Sequence, residues 1–159
     1  MTTTPKQNPR RLNIAAVSPA GFQAMFGLEK HVRASGLGAR LIHLVKLRAS
    51  QINGCAYCID MHTKDARAEG ETEQRLYGLV AWRETDWYTP RERAALEWTE
   101  ALTLIHEEPV SDQLFARVSA EFSPPELSDL ALTVVTINGW NRLAIAFGNV
   151  PGSYERAGS

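Results

Sequence analysis

The sequence predicts an all-α protein of about seven helices, and three observations carry that reading. Apolar residues recur at helical rather than alternating spacing along most of the chain. Serine–proline and threonine–proline pairs stand where helices should start, and glycines stand where they should stop. The one β-branched run, "LALTVVTINGW", follows the strong helix start Ser123-Pro124-Pro125-Glu126 and is too long for a strand, so it reads as a buried helix.

Taken in order, Ser18-Pro19 caps and opens the first helix, whose apolar residues Phe22, Met25, Phe26 and Leu28 run on until Gly36 and Gly38 interrupt. A second helix is expected from about Gly38 to Gln51 on Leu41, Ile42, Leu44, Val45 and Ala49. Asn53-Gly54 is a turn signal, after which a helix begins again at Cys55 and runs to Gly70, its C-terminal glycine. Another spans roughly Glu73 to Trp82. Thr89-Pro90 then starts a well-marked helix carrying Ala94, Leu96, Trp98, Ala101, Leu102 and Ile105. Segments 112–122 and 124–147 complete the set, opened by Ser111 and Ser123. The helical domain is thus expected over residues 17–148, between a flexible N-terminal tail at 1–16 and a C-terminal tail at 149–159. No internal repeat stands out.

Composition narrows the function classes. The chain has 159 residues, 44% apolar and 22% charged, with a formal charge of -1, which is enough for one domain with a core that needs no disulfide or metal staple. Basic residues are scattered and do not interleave with aromatics, which argues against nucleic acid as a partner. No window approaches ~18 consecutive apolar residues, so no membrane span is expected. The start "MTTTPKQNPRRLN" is polar where a secretory signal would be apolar. A cytoplasmic location is therefore expected, where close cysteines are more often catalytic or metal-binding than structural.

Both cysteines lie in "QINGCAYCIDMHTKDAR", spaced C-x2-C-x3-H. On a helix, Cys55, Cys58 and His62 fall within a wedge of roughly 60° and share one face. Inside a regular helix, i,i+3 Cβ atoms sit about 5–6 Å apart, too far for a disulfide. The pair can close only if Cys55 lies at the helix edge, and the Asn53-Gly54 turn puts it there. Backbone N–H groups of a first turn stabilise a thiolate, so this argument favours Cys55 as the more acidic thiol. The residues then supply an attacking thiol, a resolving thiol and a proton carrier, the parts a peroxide-reducing dithiol needs. Two other readings fit the spacing: a pair of small buried core residues, or part of a zinc site completed by histidine.

With these residues in view, the segment "LIHLVKLRASQINGCAYCIDMHTKDARAEG" resembles the alkylhydroperoxidase AhpD core of the carboxymuconolactone decarboxylase superfamily, and the likeness extends through "TPRERAALEWTEALT" and "INGWNRLAIAF". The resemblance implies an all-α fold, a homo-oligomer such as a trimer or hexamer, and reduction of organic hydroperoxides without cofactor or metal. It implies Cys58 as the peroxidatic thiol, Cys55 as resolving thiol and proton donor, and His62 as part of a proton relay. It also implies an external dithiol reductant, lipoyl or thioredoxin-like. The departure is His43, which stands where the family pattern usually has glutamate. If the helices flanking Asn53 pair antiparallel, His43 and His62 come out nearly level, so His43 can serve as relay partner in place of that glutamate. The same histidine makes Cys55, Cys58, His62 and His43 a possible metal set, which leaves a non-catalytic metal or redox-sensing module as the alternative beside a general disulfide reductase. Against any role for His43 stands helical spacing: Arg40, His43, Lys46 and Ser50 could form a polar stripe facing solvent. Tyr57 occupies a second position often held by histidine and is left with shaping the pocket.

Overall fold

The structure is a computed structural model that describes residues 11–156. The outer parts of the expected tails, 1–10 and 157–159, lie outside the described residues. Within them the chain forms α1 (Ile14–Val17), α2 (Pro19–Ala34), α3 (Ala39–Asn53), α4 (Ala56–Ala68), α5 (Glu73–Gly78), a 3-10 helix (Leu79–Glu84), α6 (Pro90–Thr103), α7 (Asp112–Glu121) and α8 (Pro124–Phe147). There is no strand among the described residues. The fold is all-α as expected, with eight α-helices and one 3-10 helix.

Two elements differ from the sequence reading. The single-turn α1 precedes α2, and its approach is pinned to the end of α8 by the Arg11 N–H donating to the Phe147 carbonyl at 2.8 Å. The helix expected over Glu73 to Trp82 breaks after Gly78 into the 3-10 turn, where Ala81 leaves helical geometry. Gly78 lies against the Trp87 ring, so closely that a Cβ there would stand 2.5 Å from Trp87 Cζ3. The chain tightens around that contact.

Sequence signals set the remaining helix ends. Thr89 and Glu92 form a reciprocal capping box at the start of α6, and Ser123 and Glu126 form another on α8. At the end of α3, Gly54 adopts the left-handed conformation at φ 68° and ψ 30°. Its N–H donates to the Gln51 carbonyl at 3.2 Å while the Cys55 N–H donates to the Ser50 carbonyl at 3.0 Å. This is a Schellman stop. It reverses the chain, so α3 and α4 pack antiparallel side by side.

Helix α8 runs along the middle of the molecule against α2, α3, α4, α6 and α7. By length and composition alone it could cross a membrane, with a mean hydropathy of 1.3 over its most apolar window. Here, Leu130, Val134 and Ile137 of α8 are instead buried among the other helices. The largest core cluster joins Leu130 and Val134 to Val32, Leu41, Val45, Ala95 and Trp98, while Cys55, Cys58, Ala49, Ile137 and Ala144 form a smaller one of their own.

One charged pair lies inside this packing. Lys46 of α3 is 1% exposed and Glu29 of α2 is 4% exposed, with Lys46 Nζ 2.5 Å from Glu29 Oε1. Arg33 holds the same carboxylate oxygen from the surface at 2.7 Å. Burial by itself would raise the Glu29 carboxyl, but Lys46 and Arg33 outweigh it and hold it below its ordinary value. Burial lowers the Lys46 ammonium despite its partner.

Replacing Gly54 with alanine is expected to cost about 1–2 kcal/mol in chemical denaturation, because a Cβ is strained in the left-handed region. Glu29→Leu should cost about 3–5 kcal/mol by leaving Lys46 buried without a counter-charge, and adding Lys46→Met should recover most of that loss.

Candidate active site

Cys55 belongs to two elements at once. It closes the Schellman turn that ends α3 and is the N-cap of α4, with extended backbone at φ -86° and ψ 93°. Its sulfur takes the place of a capping oxygen, accepting from the Cys58 N–H at 3.4 Å. Both cysteines are free thiols and both are 1% exposed. The Cys58 thiol donates to Cys55, and this draws Cys55 down to about 7 against the opposing effect of burial, helped by the backbone N–H of Cys58. Cys58 is pushed far up, first because it is the donor in that bond and then by burial.

Asn141 of α8 completes the thiol environment. It is 0% exposed, and its side chain is hydrogen-bonded to both cysteines, lowering each. Its amide is held in place by Ser50 Oγ at 3.0 Å and by Asn53 Nδ2, which donates to its Oδ1 at 2.9 Å. Sequence reading singled out the Trp140-Asn141-Arg142 segment by resemblance only. The bond that gives Asn141 a role spans 91 residues, and nothing local signals it.

The antiparallel hairpin brings His43 of α3 level with His62 of α4, their ring centroids 5.7 Å apart. The polar stripe of α3 does not face solvent. Arg40 is exposed and His43 half-buried, but Lys46 and Ser50 are fully buried, so the stripe turns inward against α2, α4 and α8. The helix buries these groups because partners wait for them: Glu29 for Lys46, and the Lys46 carbonyl and Asn141 for Ser50. His62 is 3% exposed, and burial, then the Lys46 charge, then His43 hold it well below the ordinary histidine range. His43 is lowered too, by burial first and against the opposing pull of Asp65. Both imidazoles are therefore neutral at neutral pH, and the Nδ1 of each is buried without a hydrogen-bond partner.

Asp65, one turn beyond His62, was not singled out in the sequence. It lies beside the two rings and accepts a hydrogen bond from the Tyr154 hydroxyl at 2.8 Å. Tyr154 belongs to the segment after α8, which folds back over α4; Lys64 Nζ also donates to the Tyr154 carbonyl at 2.9 Å. The i,i+3 spacing of His62 and Asp65 alone did not signal the group, since Asp65 meets His43 only through the hairpin.

Two cavities meet at the cysteine pair. One, of about 520 Å³, is walled mainly by apolar side chains including Phe22, Phe26, Met61 and Trp140, with Cys58 and His62 in its lining. The other, of about 410 Å³, is lined by Cys55 together with Arg11, Ile145 and Asn149. Tyr57, Ala144 and Asn149 line both. The remaining histidines stand apart: His31 is exposed and paired with Asp129 at 2.9 Å, and His106 is exposed. Asp60 and Lys64 form an i,i+4 pair at 2.8 Å.

Fold and site together define an all-helical protein built around a buried, hydrogen-bonded dithiol with two neutral imidazoles beside it. A sequence profile of the carboxymuconolactone decarboxylase family matches residues 19–101, and the chain belongs to that family. It is 46% identical over 140 residues to the uncharacterized protein YdfG of Bacillus subtilis (strain 168), covering 88% of this chain and 95% of that protein. Among solved structures it superimposes, with a TM-score of 0.87 and 43% identity, on a protein of unknown function from Agrobacterium tumefaciens proposed as the antioxidant defence protein AhpD, covering 92% of this chain and 100% of that one. A variant of the debrominase Bmp8 in complex with 2,3,4-tribromopyrrole shares the fold alone, with a TM-score of 0.77 at 18% identity over 87% of this chain and 74% of that one.

Titration of the reduced protein, followed by thiolate ultraviolet absorbance, should show one thiol ionising near pH 7 while the other stays protonated well into the alkaline range. Asn141→Leu should move the first ionisation about one pH unit higher, the effect of losing one hydrogen bond to a charged group.

Proposed function

We propose that this protein is a thiol-dependent peroxidase that reduces organic hydroperoxides through a Cys55–Cys58 dithiol/disulfide cycle, with His62 and His43 as a proton relay. The observation that carries this reading is the position of Cys58 and His62 together in the lining of the largely apolar cavity, with Cys55 in the lining of the neighbouring one. An apolar hydroperoxide entering that cavity meets a sulfur and an imidazole among mainly apolar walls, with Glu29 and Arg33 also in the lining.

The proton of the Cys58–Cys55 hydrogen bond supplies the first step. At rest it lies on Cys58, and its transfer along the S–H···S bond to Cys55 leaves a thiolate on the sulfur that lines the apolar cavity. That thiolate attacks the distal peroxide oxygen. The O–O bond breaks, Cys58 becomes a sulfenic acid, and the leaving alkoxide takes a proton from Cys55 and departs as the alcohol. The Cys55 thiolate then attacks the Cys58 sulfur, forming the disulfide and releasing hydroxide, which leaves as water with a proton delivered through the imidazoles. The net change is two thiols and one hydroperoxide to one disulfide, one alcohol and one water. An external dithiol, lipoyl or thioredoxin-like, returns the disulfide to thiols, reaching it through the cavity lined by Cys55 and Arg11.

A homo-oligomer, trimer or hexamer, is part of the same proposal. It is supported by apolar side chains left exposed on the 3-10 helix and α8, among them Val80, Val135 and Ile145.

The test is to treat the reduced protein with one equivalent of cumene hydroperoxide, block free thiols by alkylation and weigh the intact chain. A product without alkyl groups and two hydrogens lighter is expected. Cys55→Ser should stop at a trappable sulfenic acid, and Cys58→Ser should form none. His62→Gln should slow disulfide formation about a hundredfold or more. Free alkylation of both thiols after peroxide, with no sulfenic or disulfide species, would end the peroxidase reading.

A further inference from the structure

We propose that His43, His62 and Asp65 form a binding site for a zinc-class divalent transition-metal ion, and that an ion there withdraws His62 from the thiol chemistry. Each residue offers one ligand atom, and the three atoms lie within 4.8 Å of one another. Neither cysteine belongs to this group among the described residues, so it differs from the cysteine-containing set that the spacing allowed. Three ligands at zinc–nitrogen and zinc–oxygen distances in a tetrahedron stand about 3.3 Å apart, so modest side-chain rotation closes the set.

A second observation points to a ligand. His62 is 3% exposed, and its Nδ1 is buried with no hydrogen-bond partner, as is the Nδ1 of His43. Buried polar atoms are nearly always partnered, and two orphaned imidazole nitrogens beside a carboxylate are what a bound ion would satisfy. The carboxylate is already oriented from behind, by the Tyr154 hydroxyl at 2.8 Å, in the way outer partners fix ligating groups.

The surroundings allow an ion. A cavity of about 360 Å³ is lined by His43 and Asp65 and gives room for it and for a water at the fourth position. Three cations line that cavity: Lys46 and Arg33 share the Glu29 carboxylate at 2.5 and 2.7 Å, and Arg156 pairs with Glu69 at 3.0 Å and lies 4.0 Å from Asp65, so each has a carboxylate partner apart from the histidines. Two imidazoles and one carboxylate are a borderline donor set suited to Zn²⁺ and its neighbours, not to Mg²⁺ or Ca²⁺.

His62 also lines the cavity holding Cys58, so the two sites share this residue. An ion bound there takes His62 out of the relay that delivers the proton to the leaving hydroxide, and zinc is expected to slow disulfide formation in the wild-type protein. That consequence rests on the peroxidase reading; the binding claim does not.

The test uses the full chain with Cys55→Ser and Cys58→Ser, so that no thiolate can hold metal. Zinc is titrated against a chromophoric chelator, and Co²⁺ is added separately for its visible spectrum. About one ion per chain is expected, without a sulfur-to-cobalt charge-transfer band in either this variant or the wild type. Adding His43→Gln or Asp65→Asn should each weaken binding about tenfold or more, with circular dichroism unchanged. Absence of binding in the serine variant, a sulfur-to-cobalt band in the wild type, or binding indifferent to both His43→Gln and Asp65→Asn would each overturn the site. Binding that leaves the rate of disulfide formation untouched would overturn the link to His62. A wild-type protein that binds zinc yet never oxidises with peroxide would instead overturn the peroxidase reading alone.

Discussion

The reversal at Gly54 is the constraint on which the site depends. A single residue at φ 68° ends α3, and the next residue is at once the last of the turn and the cap of α4. Because Cys55 is thereby outside the regular helix, its sulfur can swing over the first turn and meet the Cys58 N–H. Because the two helices then run antiparallel, a histidine before the turn and one after it are brought to the same level. Neither consequence needs a long-range contact to initiate it. Residues 43 to 65 carry thiols, imidazoles and carboxylate as one local hairpin, and the rest of the fold encloses them.

What encloses them determines their charge. The inner face of α3 carries Lys46 and Ser50 into the interior, where an ammonium would be costly alone. Glu29 offsets that cost, yet the ammonium stays close enough to act on both imidazoles and to lower each. The pair is thus more than a structural tie between α2 and α3. Burial first, and then the buried cation beside them, favour the unprotonated form of both histidines, the form that bases and ligands need.

Much of this was legible in the sequence, for reasons that differ by element. Helix starts were readable because proline and its capping neighbours act within one turn, as Thr89-Pro90 and Ser123-Pro124 show. The edge position of Cys55 was readable because a glycine in a turn signal is local chemistry. The level placement of His43 and His62 followed from counting residues on either side of that turn. By contrast, whether the α3 stripe faced in or out depended on Glu29, which lies 17 residues away on another helix. Periodicity finds a face of a helix but does not say what that face meets. Asn141 and Tyr154 were beyond reach for the same reason, their bonds to Ser50 and Asp65 spanning 91 and 89 residues. The break falls beside the close approach of Gly78 to the Trp87 ring, a contact no local rule encodes.

The order of the two thiols turns on the same distinction between local and enclosing structure. Helix-start reasoning favoured Cys55 as the acidic sulfur, and in the resting pair it is, because the turn supplies it with N–H donors and Cys58 supplies its proton. Resemblance favoured Cys58 as the attacking sulfur, and the enclosing helices put Cys58 in the lining of the apolar cavity. These statements concern different states of one proton. A thiolate stabilised by many donors is a poorer nucleophile than one that forms only when needed, since nucleophilicity falls as thiol pKa falls. Storing the negative charge on Cys55 and releasing it to Cys58 when a substrate fills the cavity would keep the reactive sulfur protonated, and so protected from over-oxidation, until there is a peroxide for it to reduce. On that view the N-cap is a reservoir for the charge, and the sulfur that stores it and the sulfur that uses it line different cavities.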